Sequence, residues 1–340
     1  MSIRIYEDSF RYLKYDIEEN FSLPTGHERP FVNVFNNDNK QLKIILLSHP
    51  ITRDSSYEQY KNYRKDGFII LGITSYSEFP GISSNTLDGL SNPKDKAWSY
   101  DYMKLVDGWL YCFRNPDKYI TDTSLPKLLL SESDFTNYDF YKPDNSIKKI
   151  YDFIYVCPKD DENDEIKNKE CYGWVATNKN WKLARDCLNV LCNKFGLKGF
   201  LVGRSNCDVP EGCENYIETA SFLSSNELLL KYRQSKFVFI PNEIDASPRV
   251  LTEAMCTNLP ILVNYNILGG WKYVHENSGH FFSNVNDIHT GIEYILKNIN
   301  SLTPRKHYIE NFSKKISGKS FKNFIVTHFS KHIQQFDQDD

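Results

Sequence analysis

The chain has 340 residues, room for about two domains at roughly 150 residues each. Lysine and arginine number 41 against 44 aspartates and glutamates, a net charge of −3, which excludes a protein held on DNA or RNA mainly by bulk positive charge. With 40% hydrophobic and 14% aromatic residues the chain can bury a sizeable core and is not disordered.

In chain order, residues 1–41 are mixed and polar, interrupted by Pro24, Gly26 and Pro30, and read as an irregular N-terminal extension. Ile44 to Leu47 is a short continuous apolar run that suits a buried parallel strand. Ser55 to Lys65 is helix-compatible and is closed by Asp66 and Gly67, and Phe68 to Ile73 is a second buried strand. Strand, helix and strand in so short a span form a βαβ unit. Pro80 to Pro93 reads as a loop, Trp98 to Val106 as a helix, and Trp109 to Phe113 and Lys127 to Leu130 as strands.

The polar segment Ser131 to Lys149 reads as a linker, after which the rhythm restarts with a strand at Tyr151 to Val156 and a charge run at Asp160 to Lys169. Trp181 to Phe195 is an amphipathic helix, ended by Gly196, and Gly199 to Gly203 is a strand. Helices follow at Asn226 to Gln234, Pro248 to Thr257 and Asp287 to Lys297, and strands at Lys236 to Ile240, Leu259 to Val263 and Gly279 to Phe282. Phe312 to His332 reads as one last helix before an acidic tail. The α/β alternation comes in two blocks and predicts two Rossmann-like doubly wound domains facing each other. The expected organisation is an extension over 1–41, a first domain over 42–145, a second over 146–305, and a C-terminal helix and tail over 306–340.

Apolar runs such as Phe237 to Ile240 are too short to span a bilayer, and the N-terminus lacks a signal-peptide core, so a cytoplasmic location is expected. None of the eight cysteines forms a Cys-x-x-Cys pair, and in a reducing compartment they are expected to be free, mostly buried thiols.

The informative stretch is Phe237 to Val263. A buried strand runs into a loop at Pro241; Ser247 suits an N-cap and Pro248 the first helical position. The helix therefore opens at the carboxyl end of a parallel strand, where its free amides favour an anion such as phosphate. Arg249 and Glu253 are four apart and read equally as a surface ion pair or as a cation waiting for an anionic ligand.

This stretch resembles the C-terminal-domain signature of GT-B-fold glycosyltransferases of the family-4 retaining type. In that signature, two acids separated by seven residues bracket a helix start, followed by Glu-Ala-Met and a Pro-led strand. Here the acids fall on Asp245 and Glu253, with Pro260 leading the strand. Asp245 is one methylene shorter than the usual glutamate and stands near Glu243, a second candidate for the donor-facing acid. Ala246-Ser247-Pro248 replaces the usual Gly-Phe-Gly. Leu223 to Pro241, Leu201 to Arg204 with Gly203, and Gly269-Gly270 agree with the family in order and spacing.

The resemblance implies that Glu253 binds ribose hydroxyls of a nucleotide and Asp245 hydroxyls of a donor sugar, with backbone amides from Ser247 through Pro248 and Arg249 to Val250 on phosphate. Asn242, Glu243, Gly203, Gly269 and Gly270 are the other expected donor contacts. For the diphosphate cation Lys179, placed at the opening of a helix, is the first candidate, with Lys182, Arg204 and Arg249 competing. An ordinary surface cation is the alternative for each.

His49, after the first strand, could point into a cleft. Gly81 to Asn85 could offer amides to an acceptor, and Trp271 and Tyr273 could stack on a sugar or simply pack. The one Asp-x-Asp triplet is Asp337 to Asp339 in the tail, and Gly-x-Gly-x-x-Gly, P-loop and nucleophile-elbow motifs are missing.

The expectation is a metal-independent, retaining transferase that uses a nucleotide sugar as substrate and no cofactor. Its acceptor is an unspecified glycan, lipid or protein; neither nucleic-acid partner nor transmembrane segment is expected. A catalytically silent GT-B-like binding module in a glycan-assembly complex and a GT-B sugar-nucleotide epimerase are the alternatives.

Overall fold

In the computed structural model the apolar runs become the strands of two sheets. The structure describes residues 30–35, 41–48, 50–51, 53–74, 79–80, 100–160, 171–205 and 207–333. Contacts gather the described residues up to Phe135 and those from Lys314 onward into one unit, and Thr136–Ser313 into another.

The first unit carries β1 (Phe31–Phe35), β2 (Gln41–Leu47), β3 (Ile69–Ile73), β4 (Gly108–Tyr111) and β5 (Lys127–Leu129), hydrogen-bonded in that order. β1 runs antiparallel to β2 and the remaining pairs are parallel. Helix α1 (Asp54–Lys65) makes the crossover from β2 to β3. Alternate residues serve the two faces. Ile45, Leu47, Ile70 and Trp109 pack with Tyr60 of α1 and Tyr102 of α2 (Tyr102–Leu105). Ile44, Leu46, Ile69, Leu71 and Ile73 pack instead against Phe321, Phe324, Ile325 and Phe329 from the helix over 314–333.

The second unit is built on six parallel strands: β6 (Tyr151–Val156), β7 (Gly199–Val202), β8 (Ile217–Ala220), β9 (Ser235–Ile240), β10 (Ile261–Asn264) and β11 (Gly279–Phe282). Their order is β8-β7-β6-β9-β10-β11. The first strand thus lies in the middle, and the winding reverses between β6 and β9. The carboxyl ends of those two strands flank a switch-point crevice, where open α/β sheets bind ligands.

The helices of this unit are α3 (Trp174–Asn178), α4 (Trp181–Leu188), α5 (Ser225–Gln234), α6 (Arg249–Cys256), α7 (Ile288–Asn298) and α8 (Pro304–Asn311); α9 (Lys314–Ile333) belongs to the first unit. One sheet face meets Leu188 of α4 and Ile292 of α7 through Phe153, Leu201, Phe237 and Phe239. The other meets Tyr232, Leu251, Ala254, Met255 and Tyr308 through Ile154, Val156, Val238 and Val263. Burial on both faces is why these strands read as continuous apolar runs. Ser224 and Glu227 close a reciprocal capping box that starts α5 where the sequence turns apolar.

The structure differs from the sequence reading in several places. The extension expected over 1–41 contains β1, an edge strand whose Asn33 bonds the Gln41 side chain at 2.9 Å. The helix expected over 98–106 is described only as α2. Most of the 80–93 loop and of the 160–169 charge run, with Gly81 to Asn85, lies outside the described residues. α3 and β8 were not anticipated. Lys179 closes α3 as its C-cap and does not open a helix. Pro248, not Ser247, is the N-cap of α6, with ψ at 85°, and it is buried against Gly270. The helix expected over 312–332 is α9; α8 before it was not anticipated, and the two are separated where the Ser313 amide turns back to the Tyr308 carbonyl at 3.0 Å. Cys171 and Cys207 are not free thiols: their Cα atoms lie 5.7 Å apart, within bonding reach, and they form a disulfide. The other six cysteines are free and buried, as expected. Among the described residues no helix is long and apolar enough to cross a membrane.

Candidate functional site

Lys179 and Asp245 meet at the switch point. Lys179 follows β6 through α3, and Asp245 sits in the loop that leaves β9. The Lys179 ammonium pairs directly with Asp245 Oδ2, and Asn242 Nδ2 donates to the same oxygen at 2.8 Å. The Lys179 side chain is 19% exposed and that of Asp245 10%, so the pair is sheltered from bulk screening. Glu243 points elsewhere: it is exposed and receives only a long 3.4 Å contact from Asn180 Nδ2. Of the two neighbouring acids, Asp245 is the one turned to the cation.

Glu253 stands in the second turn of α6 and is buried at 6% exposure. Tyr232 on α5 donates its hydroxyl to Glu253 Oε2 at 3.0 Å, and the Tyr141 hydroxyl lies near the same carboxylate. Burial, reinforced by the Glu253 charge, pushes both tyrosine hydroxyls well above their ordinary range. They therefore remain donors, and the carboxylate keeps further lone pairs for a ligand hydroxyl. Arg249, half-buried in the first turn, is near enough for its charge to pull against the shifts of both tyrosines.

The loops after β9 and β10 lie flush against each other. The Leu268 amide donates to the Glu243 carbonyl at 2.8 Å and the Gly269 amide to the Asp245 carbonyl at 2.9 Å. A Cβ on Gly269 would stand 1.8 Å from the Ala246 carbonyl oxygen, so only glycine permits the approach. Gly270 adopts φ +81°, and a side chain there would strike the Pro248 ring. Trp271 and Tyr273 pack into the core beside α6. The first-turn amides of Arg249 and Val250 have no acceptor within the helix and carry the positive end of its dipole.

The remaining candidates are dispersed. Arg204 is 1% exposed; its Nη2 bonds the Pro158 carbonyl at 2.9 Å and Asp160 at 3.2 Å, and its Nε bonds Cys157 Sγ at 3.0 Å. Burial pushes the Cys157 thiol up, against the pull of Arg204, so the sulfur is a neutral acceptor. Gly203 takes φ +93°, with its Cβ position 2.3 Å from the Cys157 carbonyl oxygen. Lys182 is exposed on α4. His49 lies outside the described residues. Among the described residues no cluster of three histidine, cysteine, aspartate or glutamate side chains is placed to hold a metal ion.

Three contributors went unread in the sequence: Tyr141, Tyr232 and Asp160. The aromatic cluster Tyr138, Phe140 and Tyr141 inside a supposed linker was the available signal, since a free linker does not collect aromatics. Arg305 holds that segment by donating to the carbonyls of Tyr138 and Tyr141, each at 3.0 Å, and to the last carbonyl of α6 at Cys256. A sheltered cation and carboxylate, a buried second carboxylate and a helix N-terminus together suit a ligand that is anionic at one end and rich in hydroxyls at the other.

No protein-family model matches the chain, and no curated protein matches it. Solved structures do. Sucrose-phosphate synthase from Thermosynechococcus elongatus superposes with a TM-score of 0.59 at 11% identity, over 85% of this chain and 74% of that one. TarM gives 0.57 at 12% identity, over 86% and 60%. HepE from Anabaena, in complex with UDP, gives 0.54 at 10% identity, over 83% and 78%. The chain has the GT-B fold of these glycosyltransferases, two Rossmann-like α/β units.

Proposed function

We propose that this chain is a glycosyltransferase that takes a sugar from a nucleotide-sugar donor. The observation that carries the reading is the Lys179–Asp245 pair at the switch point of a Rossmann-ordered sheet, beside the N-terminus of α6. The UDP held by HepE, a protein of the same fold, makes UDP the first donor base to test.

In this reading Glu253, oriented by Tyr232 with Tyr141 nearby, accepts from ribose hydroxyls. Asp245, with Asn242 beside it, accepts from hydroxyls of the donor sugar. Lys179, with Arg249 and the amides of Arg249 and Val250, meets the charge that builds on the departing diphosphate. Such preorganised charge does most of the work when a sugar–phosphate bond opens through an oxocarbenium-like state. These groups supply cationic charge at the leaving group from the protein itself, and the reading is metal-independent and retaining. Gly203, Gly269 and Gly270 serve by letting backbones approach, and Glu243 and Lys182 are peripheral.

The test is calorimetric titration of a panel of UDP-, GDP- and ADP-sugars into the wild type and Glu253→Ala. One family of nucleotide sugars binds the wild type, and Glu253→Ala weakens it by about tenfold or more, the loss of a charge-assisted hydrogen bond. If no nucleotide sugar binds, or the variant binds as well as the wild type, the reading fails. A silent binding module is the second reading, favoured by the short acid at 245, whose Oδ2 is already engaged by both Lys179 and Asn242. Donor hydrolysis or transfer that disappears in Asp245→Asn excludes it.

A further inference from the structure

A continuous line of buried and half-buried polar contacts runs from the end of β7 to Lys179. Arg204 ties together three groups at the end of β6, the Cys157 sulfur, the Pro158 carbonyl and the Asp160 carboxylate. Asp160, 5% exposed, then accepts from the first amides of α3, Val175 at 2.7 Å and Ala176 at 3.4 Å. α3 spans only Trp174–Asn178, so a fixed start leaves its end little freedom. The Lys179 amide closes it on the Val175 carbonyl at 2.9 Å, and the Tyr155 hydroxyl holds the Lys179 carbonyl at 3.0 Å.

Two glycines admit this line. Gly173, at φ +134°, would put a Cβ 2.3 Å from the Asp160 carboxyl carbon, so the backbone lies flat on the carboxylate. Gly203 similarly lets the chain pass under Cys157. The Cys171–Cys207 disulfide independently fastens the start of the same segment to the loop that carries Arg204.

We propose that Arg204 is a positioning residue: through Asp160 and α3 it sets where the Lys179 ammonium stands against Asp245. Arginine suits the task because one planar fork reaches acceptors in several directions, which an ammonium cannot do. The consequence for donor binding rests on the proposed function, but the placement of Lys179 does not.

The experiment therefore reads Lys179 without a donor. The full chain, disulfide intact, is acylated briefly with an N-hydroxysuccinimide ester of acetate, and modification at Lys179 is measured by peptide mass spectrometry against the exposed Lys182. In the wild type Lys179, paired with Asp245, reacts slowly. In Arg204→Met the Lys179-to-Lys182 ratio rises by about tenfold, as one protecting charge-assisted contact is lost. Arg204→Lys gives an intermediate value. Gly173→Ala, which removes no charge, raises the ratio too, and with Asp160→Asn it carries the test if Arg204→Met does not fold. General loosening of the fold would also raise acylation of Lys231, whose side chain is similarly sheltered at 20% exposure, whereas the proposal leaves Lys231 unchanged. An unchanged ratio in the folded variants overturns the proposal.

UDP titration of the same variants separates the two readings. Affinity that falls as the ratio rises supports both. Affinity that stays constant while the ratio rises supports the placement and counts against Lys179 as the donor's cation.

Discussion

Single atoms decide how closely the loops after β9 and β10 approach. The missing Cβ at Gly269 leaves space that the Ala246 carbonyl already fills to 1.8 Å of the Cβ position. Gly269→Ala is expected to cost about 3 kcal/mol, the upper range for a point substitution. Calorimetry should register this as a fall in Tm of roughly 6–12 °C. Gly196 is the control: it has φ +63° but nothing within 4 Å of its Cβ position, so alanine there pays only for backbone conformation, about 1–2 kcal/mol. Equal losses at the two positions would refute the steric account. Asp245, Glu253 and the glycine pair were legible because they lie in one short stretch with recognisable spacing. The buried role of Arg204 was not. Nothing local distinguishes a surface arginine from one closed over by Asp160, 44 positions away, and the partnership of Tyr141 and Tyr232 with Glu253 likewise exists only after α5, α6 and the 136–141 segment have met.

Burial made the interior strands legible, although the edge strands β5 and β11 are also readable from their short apolar runs. β2, β3, β6, β7, β9 and β10 are interior strands whose apolar runs announce them. β8 sits at an edge, with Glu218 and Thr219 exposed, and its pattern carries too little apolar character to stand out. β1 is also an edge strand, and Pro30 just before it and its polar neighbours hid it. α3 is a short helix whose start depends on a carboxylate 15 residues before Val175, a cap that local rules do not reach. The same segment carries the disulfide, which spacing alone did not suggest. Alkylating the protein in denaturant without reductant should label six cysteines, and all eight only after reduction. Peptide mapping should place the two protected ones at Cys171 and Cys207. Eight labels without reductant, in protein purified with thiols blocked, would show that the bridge does not form.

At the scale of the whole molecule the chain leaves the first unit at Phe135 and re-enters it at Lys314. α9 is thus a core element of a sheet whose strands lie at the other end of the sequence. Phe321, Phe324, Ile325 and Phe329 recur at helical spacing and are all buried on that sheet. At about 1.5–3 kcal/mol per buried side chain, removing the four forfeits roughly 6–12 kcal/mol. That is as large as the entire stability of a typical domain, about 5–15 kcal/mol. Truncation after Ser313 should abolish the calorimetric transition of the first unit and leave that of residues 136–313. Two surviving transitions would mean that the helix is dispensable. The return of α9 also imposes an order on biosynthesis. On the ribosome, residues 136–313 emerge as one uninterrupted block and can close their core as they appear. The unit begun earlier must wait, with Ile44, Leu46, Ile69, Leu71 and Ile73 facing water, until residues 321–329 have been made. The half of the protein that is synthesised first is therefore completed last, and in that interval its uncovered sheet is the surface offered to chaperones.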